Sequence, residues 1–157
     1  MKPFRSGRAP RLVLDPGVLI SALISRKRGN PVQLIRLWLR GDYQLAASPH
    51  LLVELENVLR RPKFQKYVSD GEITAYLGMF FRRAVLVPDV ATTEVFTPDP
   101  KDDYLVALAR DVAADYLISG DKHLTELPRP RPPVLTPAEC VKLLQSSGLG
   151  VQLPEEK

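Results

Sequence analysis

The acidic residues that could do chemistry in this chain stand far apart in the sequence. Asp15 closes the apolar run Arg11 to Leu14, Asp99, Asp102 and Asp103 stand together in DPKDD, and Asp121 follows LISG. Carboxylates at the carboxyl ends of strands in an open α/β sheet lie where such sheets bind ligands. Each also has a plain structural reading, as a turn residue or the cap of the next helix. As a nucleophile toward phosphoryl groups, Asp15 would want a second aspartate two positions on, and Gly17 stands there. A single cysteine, Cys140, and two histidines, His50 and His123, argue against thiolate or imidazole metal centres. The formal net charge of +4 persists despite these acids and suits a polyanionic partner.

Whether the carboxylates meet depends on the elements that carry them. Arg11 to Leu14 reads as a short strand buried on both faces, and after Pro16-Gly17 the residues Leu19, Ile20, Leu23 and Ile24 recur at helical intervals. Asn30-Pro31 opens a helix, with Asn30 as cap, that runs to Gly41. Tyr43 to Ala47 is a second strand, and Ser48-Pro49 caps a helix ended by Pro62. A helix from about Asp70 to Arg83 leads to a strand at Ala84 to Val87. Asp99-Pro100 opens a helix through Ala113, Tyr116 to Ser119 is a fourth strand, and Pro133 to Leu135 is a short fifth. Thr136-Pro137-Ala138-Glu139 is a capping box for the last helix. Strands alternating with helices predict a parallel sheet covered on both faces, so Asp15 and Asp121, 106 positions apart, share one sheet edge with the DPKDD group.

The stretches LVLDPGVLISAL, SPHLLVELENVLRRPKF, DPKDDYLVALARDVAADYLISGD and the following KHL, in this order and spacing, resemble the PIN domains, metal-dependent nucleases. The likeness spans roughly residues 11 to 145 and is nearest to the branch described as toxins of toxin-antitoxin systems. It implies a PIN-like three-layer α/β/α fold with a central parallel sheet of four to five strands. It also implies a site of four acids, matched here by Asp15, Glu54, Asp103 and Asp121, with Asp15, Asp103, Asp121 and the outer Asp99 as metal ligands. Mg²⁺ or Mn²⁺ is the implied cofactor, because these ions prefer hard oxygen ligands and bridge carboxylates to phosphate oxygens. Helical phase does not choose between Glu54 and Glu56, which flank the apolar centre near Leu55, so Glu54 rests on the resemblance. Asp99 is equally a helix cap, with Asp102 its box partner, while Asp103 stands eighteen positions before Asp121 as the family pattern wants. Ser119 matches the hydroxyl residue found two positions before the last Asp. One position departs: where the family commonly carries a polar residue, often Asn, this chain has Gly17, which cannot steady the acids through a side chain.

The function implied is a ribonuclease hydrolysing RNA phosphodiesters, restrained by a cognate antitoxin, with a homodimer common among relatives. The competing reading is a catalytically weak or inactive module that binds RNA or protein and keeps its acids for ion-stabilised folding. Arg26, Arg28, Arg60 and Arg61 are the expected nucleic-acid contacts, although cations at helix C-termini also complement the helix dipole. Residues 1–10 read as a flexible basic leader without the apolar core of a signal peptide, 11–146 as the nuclease domain, and 147–157 as a loosely ordered tail. No apolar run approaches the ~20 residues that span a bilayer, and a cytoplasmic protein is expected.

Overall fold

The computed structural model describes residues 8–25, 28–91 and 96–146. Most of the expected leader, all of the expected tail, and Arg26 lie outside these residues. Five strands form one all-parallel sheet in the order β3-β2-β1-β4-β5. They are β1 (Arg11–Leu14), β2 (Gln44–Ala47), β3 (Val85–Leu86), β4 (Tyr116–Ile118) and β5 (Val134–Leu135). Seven α-helices flank the sheet among the described residues: α1 (Pro16–Ser25), α2 (Asn30–Leu39), α3 (Pro49–Leu59), α4 (Asp70–Arg83), α5 (Asp103–Asp111), α6 (Lys122–Thr125) and α7 (Pro137–Ser146). This is the expected PIN-like architecture, with five strands.

The central strands are apolar because both faces are covered. Leu12, Val13 and Leu14 of β1 and Leu117 and Ile118 of β4 are wholly buried. Polar tips inside the core find partners: the Tyr76 hydroxyl donates to the Leu19 carbonyl at 2.7 Å, tying α4 to α1, and Tyr43 donates to the Leu34 carbonyl at 2.7 Å. The capping box written in the sequence before α7 forms, with Thr136 and Glu139 exchanging side-chain bonds with each other's backbone. Ser48 caps α3 as expected. Asn30 does not cap α2; Gly29, at φ 111°, takes that position, and Asn30 is the first helical residue. The helix expected from Asp99 begins instead as a 3-10 turn, Pro100–Asp102, and becomes α-helical only at Asp103.

Two features of the topology position the site. The chain leaves β1 toward β2 and β3 on one side, then returns to place β4 on the other side of β1. That reversal opens a crevice at the carboxyl ends of β1 and β4. The register Leu12↔Tyr116, Val13↔Leu117, Leu14↔Ile118 then sets Asp15 beside Ser119.

Candidate active site

Asp15 is fixed at the crevice by its own strand and by its neighbour. Its backbone N–H donates to the Ile118 carbonyl at 2.9 Å, and its Oδ2 accepts from the Ser119 hydroxyl at 2.7 Å. Its Oδ1 accepts from the Gly17 N–H at 2.7 Å, so the same carboxylate also caps the first turn of α1. The capping and the site readings are therefore compatible. A side chain at position 17 would begin only 3.4 Å from Asp15 Oδ1. Without one, Asp15 is still held from two sides, by Gly17 N–H and Ser119 O–H.

Ser119 is wholly buried and serves both ends of the site: its Oγ, while donating to Asp15, accepts from the Asp121 N–H at 3.0 Å. Asp121 caps α6 through the His123 N–H at 2.8 Å, which brings the His123 ring to 3.6 Å from its carboxylate. From the other side α3 presents Glu54, whose carboxylate accepts from the Tyr104 hydroxyl of α5. Burial, followed by the Glu54 carboxylate, holds the Tyr104 phenol well above the usual range. Glu56 points elsewhere, pairing with Arg60 at 2.9 Å.

The DPKDD segment divides differently from the expected pattern. Asp103 is buried, and its Oδ1 accepts from the backbone N–H groups of Phe96 and Thr97, both at 2.9 Å. Through that one oxygen Asp103 holds the loop before α5. Asp102 faces the acids instead. Its carboxyl is pushed up to about 6, chiefly by burial and then by the like charges of Asp15, Asp121, Asp99 and Glu54. Asp102 Oδ2 is buried without a hydrogen-bond partner. The 3-10 turn lets the two adjacent acids point apart, because successive residues there turn by ~120° rather than the ~100° of an α-helix. Asp99 caps that turn through the Lys101 N–H at 3.0 Å.

Asp99, Asp102 and His123 each offer one ligand atom, and these atoms lie within 4.8 Å of one another. His123 is the residue that counting histidines missed; its position two after Asp121, on the turn that Asp121 caps, is the signal that could have found it. Burial, reinforced by Asp121 and Glu54, also raises Asp15, against the lowering effect of its bonds to Ser119 and Gly17. Grouped carboxylates with a buried, unpartnered oxygen suit a hard divalent cation, which would supply the missing charge and the missing partner.

These shifts set an expected pH dependence. An acid raised from 3.8 to about 6 holds its proton in the folded chain over a range where the unfolded chain has lost it. Stability from this group is therefore present at low pH and lost as pH rises through about 6. The metal-free protein should melt higher near pH ~5 than near pH ~7.5. Mn²⁺, which needs ionised ligands, should stabilise it at the higher pH and scarcely at the lower. Melting curves with chelator and with Mn²⁺ at both pH values check this; a metal-free melting temperature that climbs with pH would contradict it.

The basic residues separate as well. Arg60 is paired with both Glu56 and Asp70. Arg61 is exposed, has no ion pair among the described residues, and lines a cleft together with Glu54. Arg28 is exposed between α1 and α2.

An α/β/α domain with acids gathered at the switch point of a parallel sheet defines a class of fold and site, and the comparisons identify it. Residues 11–123 match the family model described as PIN domain, and the chain belongs to that family. No curated protein matches the chain. Among solved structures it is similar to the crystal structure of VapBC2 from Rickettsia felis bound to a DNA fragment from their promoter. That match has 13% identity and a TM-score of 0.56, covering 80% of this chain and 98% of the other, and is a likeness of fold. No described helix is long and apolar enough to cross a membrane.

Proposed function

We propose that this PIN domain is a divalent-metal-dependent ribonuclease acting in the cytoplasm as the toxin of a toxin-antitoxin pair. The nuclease reading is supported by membership of the PIN family, and the observation that carries its metal dependence is the buried, unpartnered Asp102 Oδ2 among Asp15, Asp121, Asp99 and Glu54. A bound Mg²⁺ or Mn²⁺ would supply Lewis acidity and counter-charge to the phosphodiester undergoing hydrolysis. Asp102 would hold it together with Asp99 and His123, whose ligand atoms lie within 4.8 Å of one another, and Asp15 and Asp121 would face it from the sheet edge. Ser119 fixes the relative orientation of Asp15 and Asp121 through its one hydroxyl. Tyr104 orients Glu54. Asp103 acts at one remove, by holding the loop from which the 3-10 turn and Asp102 start. The toxin reading rests on the family resemblance and is supported by the likeness in fold to VapBC2.

Cleavage of a labelled single-stranded RNA with Mn²⁺, with Mg²⁺ and with chelator tests the proposal. Metal-dependent scission that chelator stops is expected. RNA binding without scission under every metal would leave the inactive binding module, the reading that Gly17 favours.

Binding should depend on phosphate contacts and weaken steeply with salt. Arg61 and Arg28 are the cations expected to make them, and Arg60, already paired twice, is not. Replacing Arg61 and Arg28 by Ala should lower the slope of log affinity against log salt by roughly 0.7 per lost contact, whereas Arg60→Ala should leave the slope near its original value. Binding isotherms in chelator at several salt concentrations measure it; equal slopes for all variants would place the RNA elsewhere.

A further inference from the structure

Resting on the ribonuclease reading, we infer that the cleft beside Glu54 is a nucleobase subsite in which an unpaired base next to the scissile phosphate stacks on His50. The cleft has a volume of about 490 Å³ and is lined by His50, Glu54, Asn57, Val58, Arg61 and Asp89, among others. Glu54 belongs both to this wall and to the acidic group, so a strand whose phosphate lies at the acids has its neighbouring nucleotide here. Asn57 follows one helical turn, about 5 Å, further along α3.

The stacking surface is already built. His50 is exposed, and one face of its imidazole is covered by Tyr104, with ring centroids 3.8 Å apart and planes within 7°. The same residue lines the cleft, so a base bound there would meet the ring on its other face. Tyr104 is held in turn by its bond to Glu54, and the His50 backbone N–H donates to Asp89 Oδ1 at 2.9 Å. A platform held at both ends loses little freedom when a base settles on it. The lining also suits a base, whose faces are apolar and whose edges are polar: Pro49, Val53 and Val58 offer aliphatic contact, and Asn57 offers both a donor and an acceptor. Arg61, at the same wall, is placed for the phosphate that follows. Because stacking accepts every base, the subsite selects single-stranded over duplex RNA rather than one sequence.

The test uses the full chain and a set of eight-nucleotide RNAs in which an abasic ribose replaces each position in turn. Binding is read by fluorescence anisotropy in chelator, and scission of the same RNAs is read with Mn²⁺. For the wild-type protein, one abasic position beside the cleavage site should weaken binding about tenfold. In His50→Ala that position should make no difference, and in His50→Phe, which keeps a ring on Tyr104, the tenfold ratio should return. Comparing ratios within each variant cancels any general effect of the substitution on folding or on Glu54. If the RNA is bound and cut but no abasic position matters, or if His50→Ala weakens intact and abasic RNAs alike, the subsite is refuted while the ribonuclease reading stands. If the RNA is neither bound nor cut, both are refuted.

Discussion

Replacing Asp15 by Asn is expected to abolish metal-dependent RNA cleavage, a loss of about 10³-fold or more, while raising the melting temperature of the metal-free protein by ~3 °C. The two effects have opposite signs because the carboxylate does two things. Buried against Ser119 and facing Asp121 and Glu54, it is costly to ionise without a cation. Asn removes the charge and keeps the shape: its Oδ1 still accepts from Gly17 N–H, and its amide can donate to Ser119 Oγ, which has a second lone pair beside the one taken by Asp121 N–H. Relief of repulsion is worth ~1 kcal/mol, and the cap survives. Asp15→Ala, by contrast, loses both hydrogen bonds and should melt lower than Asp15→Asn. The comparison needs three proteins, each melted with chelator and with Mn²⁺, and a cleavage assay on each. Wild-type melting indifferent to Mn²⁺, together with an Asn variant that melts no higher than wild type in chelator, would remove Asp15 from any metal site.

How far the sequence could be read depended on whether local pattern or tertiary register decided the question. Asp15 was legible because an apolar run ending in Asp-Pro-Gly places a carboxylate at a strand's carboxyl end whatever the rest of the chain does. The parallel sheet was legible from alternation alone, and the capping box before α7 from its spacing. The strand order was not; it follows from which hydrophobic faces the crossovers cover, and only that order sets Ser119 beside Asp15. Helical phase left Glu54 and Glu56 equivalent, and what separates them is long-range: Tyr104 arrives from α5 on one side, and Arg60 folds back on the other. Two histidines in a chain argue against an imidazole centre, yet one can join a carboxylate cluster once Asp121 caps α6 beneath it. Arg60 looked like Arg61 until Asp70 and Glu56 closed on it.

Asp102 and Asp103, adjacent in sequence and alike in chemistry, are expected to fail in different ways when changed. Asp102→Asn should lose metal-dependent cleavage to a degree comparable with Asp15→Asn, while its metal-free form melts no lower than wild type. Its carboxylate contributes no bond from its buried Oδ2 and is raised to about 6 by burial and by the surrounding acids, so the neutral amide removes a repulsion. Asp103→Asn keeps an oxygen able to accept from both Phe96 and Thr97 N–H, and should retain most activity with a modest loss of stability. Asp103→Ala leaves those two backbone donors without a partner in a buried setting. Hydrogen bonds to a charged acceptor contribute about 1.5 to 3 kcal/mol each, so the variant should lose ~3 kcal/mol and melt roughly 10 °C lower. Whatever activity it then loses should follow from the loosened start of α5, and lowering the assay temperature should restore part of it. No temperature should restore Asp102→Asn, because the charge removed is one that the proposed metal ion would need. Cleavage rates and melting curves for the three variants decide the matter: an active Asp102→Asn beside a well-folded but inactive Asp103→Asn would return the third acid of the site to Asp103.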